Sequence, residues 1–166
     1  MKMLLALGVG LMMAVAGRAA SVVDEVEQQV REAVKSPRVT VVHLWAPWCA
    51  NCKAELANGG WSTFLAQNAD VDFIFVTVWR GEQGDGRATL ASHGVGPQKN
   101  FRLLVHPNAS RKTGEQMTEF LGLPVTWIPA TWVFREGKLR YALNYGELRF
   151  PLLQQLIRDS MDKWDR

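Results

Sequence analysis

Trp45-Ala46-Pro47-Trp48-Cys49-Ala50-Asn51-Cys52-Lys53 holds the only two cysteines of a 166-residue chain, three positions apart and framed by two tryptophans. Upstream, Arg38 to Trp45 runs through Val39, Thr40, Val41, Val42, His43 and Leu44, almost all β-branched or apolar. A continuous run of that kind suits a central strand covered on both faces. Downstream, a helix is expected from about Cys49, broken at Gly59-Gly60 and resuming to Gln67. Val71 to Trp79 (VDFIFVTVW) then reads as a second buried strand. Strand, helix and strand within about 40 residues make a βαβ unit with a parallel pair. The cysteines fall where the first strand hands over to the helix.

A cysteine in that place meets unpaired backbone N–H groups and the positive end of the helix dipole. Both favour thiolate over thiol and lower the pKa below the free value of ~8.5. Cys49 is therefore the candidate nucleophile toward a disulfide. Cys52, one helical turn on, is placed to resolve the mixed disulfide that results. A structural bridge is a poor alternative, because cross-links stabilise chiefly by closing long loops. A zinc or iron–sulfur site takes four ligands, and no second C-x-x-C exists to supply them.

Outward from this unit the chain continues as a single α/β domain. Ser21 to Lys35 carries Val22, Val23, Val26, Val30 and Val34 at helical spacing and ends at Ser36-Pro37. Arg80 to Arg87 is polar and reads as a loop. A short helix near Arg87–His93 and a short strand near Phe101–His106 are expected next. Thr113 to Leu121 is expected to be helical, with Glu115, Gln116 and Glu119 on the wet side. Pro129 to Arg135 and Lys138 to Leu143 form a hairpin around Glu136-Gly137. Phe150 to Lys163 closes the chain as an amphipathic helix with Leu152, Leu153, Leu156, Ile157 and Met161 inward.

The segment from Trp45 to Lys53 resembles the active-site segment of thioredoxins, W-A-x-W-C-x-x-C-K. The order of elements from Arg38 to Lys163 is similar to the thioredoxin fold, a central mixed sheet flanked by helices, with a helix–strand insertion at about 87–106. Such an insertion resembles that of the extracytoplasmic thioredoxins of cytochrome c maturation. The resemblance implies that Cys49 is exposed and Cys52 buried, and that Trp48 is the surface tryptophan beside the nucleophile. It also matches Trp127-Ile128-Pro129-Ala130-Thr131 to the family's cis-proline loop. There the backbone of Ile128 would face Cys49 and offer an N–H and a C=O to an extended substrate, with Trp127 walling the groove opposite. Trp45 and Trp132 are expected in the core, and Trp61, Trp79 and Trp164 are expected to be structural.

Three positions depart from the family. His43 stands where thioredoxins carry a buried aspartate, six residues before the first cysteine. Val71–Trp79 has no counterpart to the family's strand lysine, and the central dipeptide is Ala-Asn in place of Gly-Pro. Matching to the family puts His43 beneath the cysteines, where an imidazole of pKa ~6.5 would accept the Cys52 proton. A core histidine bonded to backbone is the alternative. His93 and His106 are assigned no role and are expected to be solvated.

The first nineteen residues read as a secretory signal: Lys2, an uncharged apolar run from Met3 to Ala16, and small residues at Gly17 and Ala19 that suit cleavage after Ala19. Residues 20–166 would then be the mature domain. An uncleaved N-terminal anchor is the alternative, although a membrane span needs ~20 apolar residues. Lys2 and Arg18 are the bases in this segment, so its removal takes 19 basic residues to 17 against 16 acidic ones. A nearly neutral domain excludes an electrostatic footprint for nucleic acid. The expected activity is reduction of protein disulfides outside the cytoplasm, without a cofactor and with electrons from a membrane donor. A disulfide oxidase or isomerase, a Cu(I) carrier using the same two thiolates and a non-catalytic scaffold are the alternatives.

Overall fold

In the computed structural model, which describes residues 22–144, 146 and 148–162, the β-branched run after Pro37 forms β1, Thr40–Trp45, with all six residues buried. The signal segment 1–19, Lys163 and Trp164 lie outside the described residues. β1 pairs in parallel with β2, Asp72–Thr77, in the register Val41 to Phe73 and His43 to Phe75. On its other side it pairs antiparallel with β6, Ala130–Arg135, which places Thr131 opposite His43. β3, Phe101–Val105, extends the parallel side, and β7, Lys138–Leu143, the antiparallel side. The mixed sheet has the order β3-β2-β1-β6-β7. The chain has the thioredoxin-like fold, with β1 and the Cys49–Cys52 segment that follows it at the middle of the sheet.

Among the described residues, the five α-helices that form follow the expected positions. α1 spans Val22–Ala33, α2 Ala50–Leu56, α3 Gly60–Gln67, α4 Arg87–Ser92 and α5 Phe150–Met161. The break between α2 and α3 is a 3-10 turn at Ala57–Gly59 in which Asn58 and Gly59 have φ of 53° and 74°. Gly60 is required by a close approach: a Cβ there would sit 2.2 Å from the Glu55 carbonyl oxygen and 2.8 Å from the Phe150 ring. The kink lets the buried Trp61 of α3 reach the sheet. Its ring meets His43, Phe73 and Phe75 at centroid distances of 4.7, 6.2 and 4.8 Å and packs edge-on to Phe150 of α5. Side chains alternate across a strand, so Trp132, next to Thr131, faces the other way and stacks on Phe120. Trp45, Trp61 and Trp132 are core residues.

Two stretches differ from the sequence reading. Thr113 to Leu121 is not a helix. It is a turn over 113–115 followed by a small antiparallel pair, β4 (Glu119–Phe120) and β5 (Leu123–Pro124). Leu121 and Gly122 between them both adopt positive φ, 56° and 77°, the pairing of a type I′ hairpin turn, which no helix can contain. In α5, Leu153 and Ile157 face inward as expected, but Leu152 and Met161 are 46% and 38% exposed. The third inward position is instead Ser160, whose hydroxyl donates to the Leu156 carbonyl at 2.7 Å. A buried serine satisfied by its own helix leaves no mark in an apolar pattern.

Candidate active site

β1 delivers the chain through Ala46-Pro47-Trp48 to Cys49, which caps α2 with extended φ and ψ of −70° and 121°. The cap is tied by the Cys49 N–H to the Ala46 carbonyl at 3.1 Å. The Cys49 sulfur replaces the usual capping oxygen and accepts the Cys52 N–H at 3.2 Å. Both cysteines are free thiols. They are nevertheless inequivalent. Cys49 is pulled down to about 7, chiefly by the hydrogen bond from the Cys52 thiol; burial opposes this, while the N–H groups of Cys52 and Asn51 and the charge of Lys53 assist. Cys52 is pushed far up, first by burial and then by its bond to Cys49, with a further push from the negative charge of Glu55. Against the expectation of an exposed Cys49, both thiols are buried, at 5% and 1% exposure, because the Ile128 backbone closes over the Cys49 sulfur; the more accessible thiol is still the more acidic one.

A groove of about 470 Å³ opens over Cys49. One side is Trp48, whose indole N–H donates to the Trp79 carbonyl at 2.6 Å. Trp79, expected to be merely structural, lines the groove as well. It holds φ at 45°, unusual for so bulky a residue, and its own indole N–H donates to the Met117 carbonyl at 2.8 Å. Thr126, Trp127 and Ile128 also line it, and Trp127 is 51% exposed. The Ile128–Pro129 bond is cis, and the Ile128 carbonyl accepts the Cys49 thiol at 3.7 Å. The groove thus brings Trp48, Trp127, Ile128 and Cys49 together, beside the Pro129 bond.

His43 lies beneath this surface, fully buried, with each ring nitrogen already engaged. Nδ1 is 2.9 Å from the Thr131 hydroxyl and Nε2 is 3.4 Å from Oε2 of Glu55. Desolvation lowers its pKa to about 3, so the ring is neutral at ordinary pH. A neutral imidazole facing a carboxylate carries its proton on Nε2 and leaves Nδ1 to accept from Thr131.

Glu55 is the residue that sequence reasoning passed over. It is buried, three positions after Cys52 and so on the same face of α2. Its Oε1 accepts the Leu148 N–H at 2.8 Å and its Oε2 accepts the Trp61 indole N–H at 3.0 Å. Among the described residues, counting His43, three donors converge on this one carboxylate, as a buried charge requires. The i, i+3 spacing from Cys52 was the available signal. Elsewhere, His106 is buried rather than solvated, with Nδ1 accepting the Asn108 N–H at 3.2 Å. Among the described residues no group of three His, Cys, Asp or Glu side chains is placed to hold a metal ion.

No known protein family matches the sequence as a whole, and no curated protein matches it. Solved structures do match. A secreted disulfide oxidoreductase of Mycobacterium tuberculosis, homologous to DsbE of E. coli, is 20% identical over 76% of this chain and 85% of its own, with a TM-score of 0.54. A DsbF homologue from Corynebacterium diphtheriae is 17% identical over 76% and 74%, with a TM-score of 0.55. A thiol:disulfide interchange protein of the thioredoxin family from Chlorobium tepidum is 14% identical over 79% and 85%, also with 0.55. At these identities the likeness establishes the fold.

Proposed function

We propose that the chain is a thiol–disulfide oxidoreductase that reduces protein disulfides outside the cytoplasm. The observation that carries this reading is geometric: two cysteines stand one helical turn apart, Cys49 capping α2 at a groove beside the cis Ile128–Pro129 bond and Cys52 buried behind it, and their acidities are shifted in opposite directions. An extended substrate chain lies along Ile128 and presents its disulfide to Cys49. The Cys49 thiolate attacks one substrate sulfur, the substrate S–S bond breaks, and the departing thiolate takes a proton from water. Cys52 then gives its proton to Glu55 and attacks the Cys49 sulfur. The second substrate thiolate leaves, and the Cys49–Cys52 disulfide holds the two electrons' worth of oxidation. A dithiol on a membrane partner returns the pair to its reduced form, since the surrounding compartment is oxidising.

His43 enters this scheme through Glu55. With the Nε2 proton turned toward Glu55 and the Nδ1 lone pair facing the Thr131 hydroxyl, it has no free lone pair with which to take the Cys52 proton itself. Instead it positions the carboxylate that does. The names of the similar structures, which include a secreted disulfide oxidoreductase and a thiol:disulfide interchange protein, support the same class of reaction.

Reduced protein mixed with a disulfide-bonded polypeptide is expected to lose two thiols per chain as the substrate gains two. Alkylation of Cys49 against pH should rise with thiolate and reach half its plateau at about 7, well below the ~8.5 of a free thiol. Absence of exchange, or an ordinary thiol midpoint, would remove the proposed function.

The extracytoplasmic placement rests on Lys2, the apolar run Met3–Ala16 and the small residues at Gly17 and Ala19. Sequencing the N-terminus of the protein from its native host is expected to begin at Ala20 or a neighbour. An intact Met1 in the membrane fraction would replace cleavage with anchoring, and an intact Met1 in the cytoplasm would refute export. Among the described residues no helix is long and apolar enough to cross a membrane.

A further inference from the structure

The loop between β3 and β4 sends one side chain back to the active site. The guanidinium of Arg111 lies over the Trp48 ring, 3.9 Å from its centroid. Its stem runs across Gly81, whose absent Cβ would stand 3.1 Å from the Arg111 Cδ. The loop beneath is pinned on several sides. The Gly81 N–H donates to the Ala109 carbonyl at 2.8 Å, the Ser110 N–H to Oδ1 of Asn108 at 2.9 Å, and the Asn108 amide to the Glu115 carbonyl at 2.9 Å. Arg111 is thus set in place by the fold before any substrate arrives.

Its charge is unspent. Among the described residues no carboxylate forms an ion pair with Arg111. The nearest acid in its own loop, Glu115, faces Lys112 at 3.8 Å and accepts the Ser110 hydroxyl at 3.1 Å. Among the described residues the groove lining holds Cys49, three tryptophans and a few small or polar side chains, with Arg111 as its one cationic side chain and no acid. A guanidinium whose carbon sits 3.9 Å from an indole centroid has N–H donors at its rim, and among the described residues none of them makes a hydrogen bond, so they can take a carboxylate in a fork.

We propose that Arg111 and Trp48 form a subsite for an acidic side chain, so that the preferred substrates are disulfides with an aspartate or glutamate close to the attacked cysteine. The aliphatic stem of that residue lies on the indole surface while its carboxylate pairs with Arg111. This selectivity rests on the proposed exchange reaction at Cys49, of which it names the substrate class.

The test uses two disulfide-bonded peptides that differ only in a Glu or a Gln beside the cysteine. The measured quantity is the ratio of their kcat/KM values, in which any general loss of activity cancels. Wild type is expected to prefer the Glu peptide by about five-fold at low salt, with the preference shrinking as ionic strength rises. Arg111→Gln should bring the ratio to about one, and Arg111→Glu should turn the preference toward a peptide carrying Lys. Equal rates for both peptides in wild type, or a preference that survives Arg111→Gln, would overturn the subsite. Binding of the same peptides to the Cys49→Ser protein, followed by tryptophan fluorescence, reads the subsite without the chemistry. A Glu preference there upholds the subsite even where the exchange reaction fails, and no preference there overturns it even where exchange proceeds.

Discussion

Cys52→Ser is expected to accumulate covalent complexes with protein substrates that persist on non-reducing gels and disappear on addition of dithiothreitol. Cys49→Ser should form none and lose disulfide reduction by about 10³-fold or more, the scale on which removal of a nucleophile acts. The asymmetry follows from position. Cys49 lines the groove and is the more acidic thiol, so it makes the first bond. Cys52 is buried and held protonated, so it acts only on a sulfur already attached to its neighbour. Serine keeps a hydroxyl that can donate toward Cys49, whereas Cys52→Ala removes the donor that most lowers the Cys49 pKa. The alanine variant should therefore titrate above about 7 at Cys49 and trap less efficiently at neutral pH than the serine variant. Turnover by Cys52→Ser at the wild-type rate would end the two-cysteine mechanism, and mass spectrometry of the trapped species would show which cysteine carries the substrate.

Much of this architecture was legible because burial on both faces writes itself as an uninterrupted apolar run. β1 and β2 come close to such runs, broken by His43 in the first and bounded by Asp72 and Thr77 in the second, and the hairpin turn at Glu136-Gly137 lies where the turn residues stand, with φ of 52° and 75°. The kink at Gly59-Gly60 was visible for the same reason: paired glycines interrupt an otherwise helical pattern. The segment 107–125 was not legible. Its conformation depends on single left-handed residues such as Leu121, and on polar side chains bonding back to their own loop, as Asn108 and Ser110 do. Neither device carries a period. The cysteines, Trp48 and the Ile128–Pro129 loop were found through local motifs. Arg111 stands 63 positions after Trp48, and only the tertiary fold brings it over that ring. Glu55 escaped for a different reason. A lone glutamate among Lys53, Ala54 and Leu56 is usually a solvated residue, and its burial is created by Trp61 and Leu148 from outside its helix.

Glu55→Gln separates two things the carboxylate does to Cys52, because they push the resolving step in opposite directions. Its negative charge raises the Cys52 pKa, so neutralising it leaves more thiolate and by that route alone would speed resolution. In its proposed role as the base for the Cys52 proton it would accelerate the same step, and its removal should slow release of the mixed disulfide by about 10²-fold. The expected outcome is the slowing, since among the described residues the site offers no substitute: His43 is held neutral, with Nδ1 bonded to Thr131 and Nε2 facing Glu55 itself. The first step should be spared, because Glu55 is not among the groups that set the acidity of Cys49. Single-turnover rates of mixed-disulfide formation and decay make the distinction, and a faster decay in the glutamine variant would reduce Glu55 to an electrostatic brake. The variant carries a structural cost that must be measured beside the rates. Among the described residues three N–H groups point at two carboxylate oxygens, and a glutamine amide has one oxygen to offer. Reversing the His43 tautomer lets its Nε2 accept from the new amide, with Nδ1 then donating to Thr131, but either the Trp61 or the Leu148 donor is still left facing an NH₂ group. One orphaned buried donor costs about 1–3 kcal/mol, a loss that denaturant unfolding reads directly and that leaves the order of the two chemical steps unchanged.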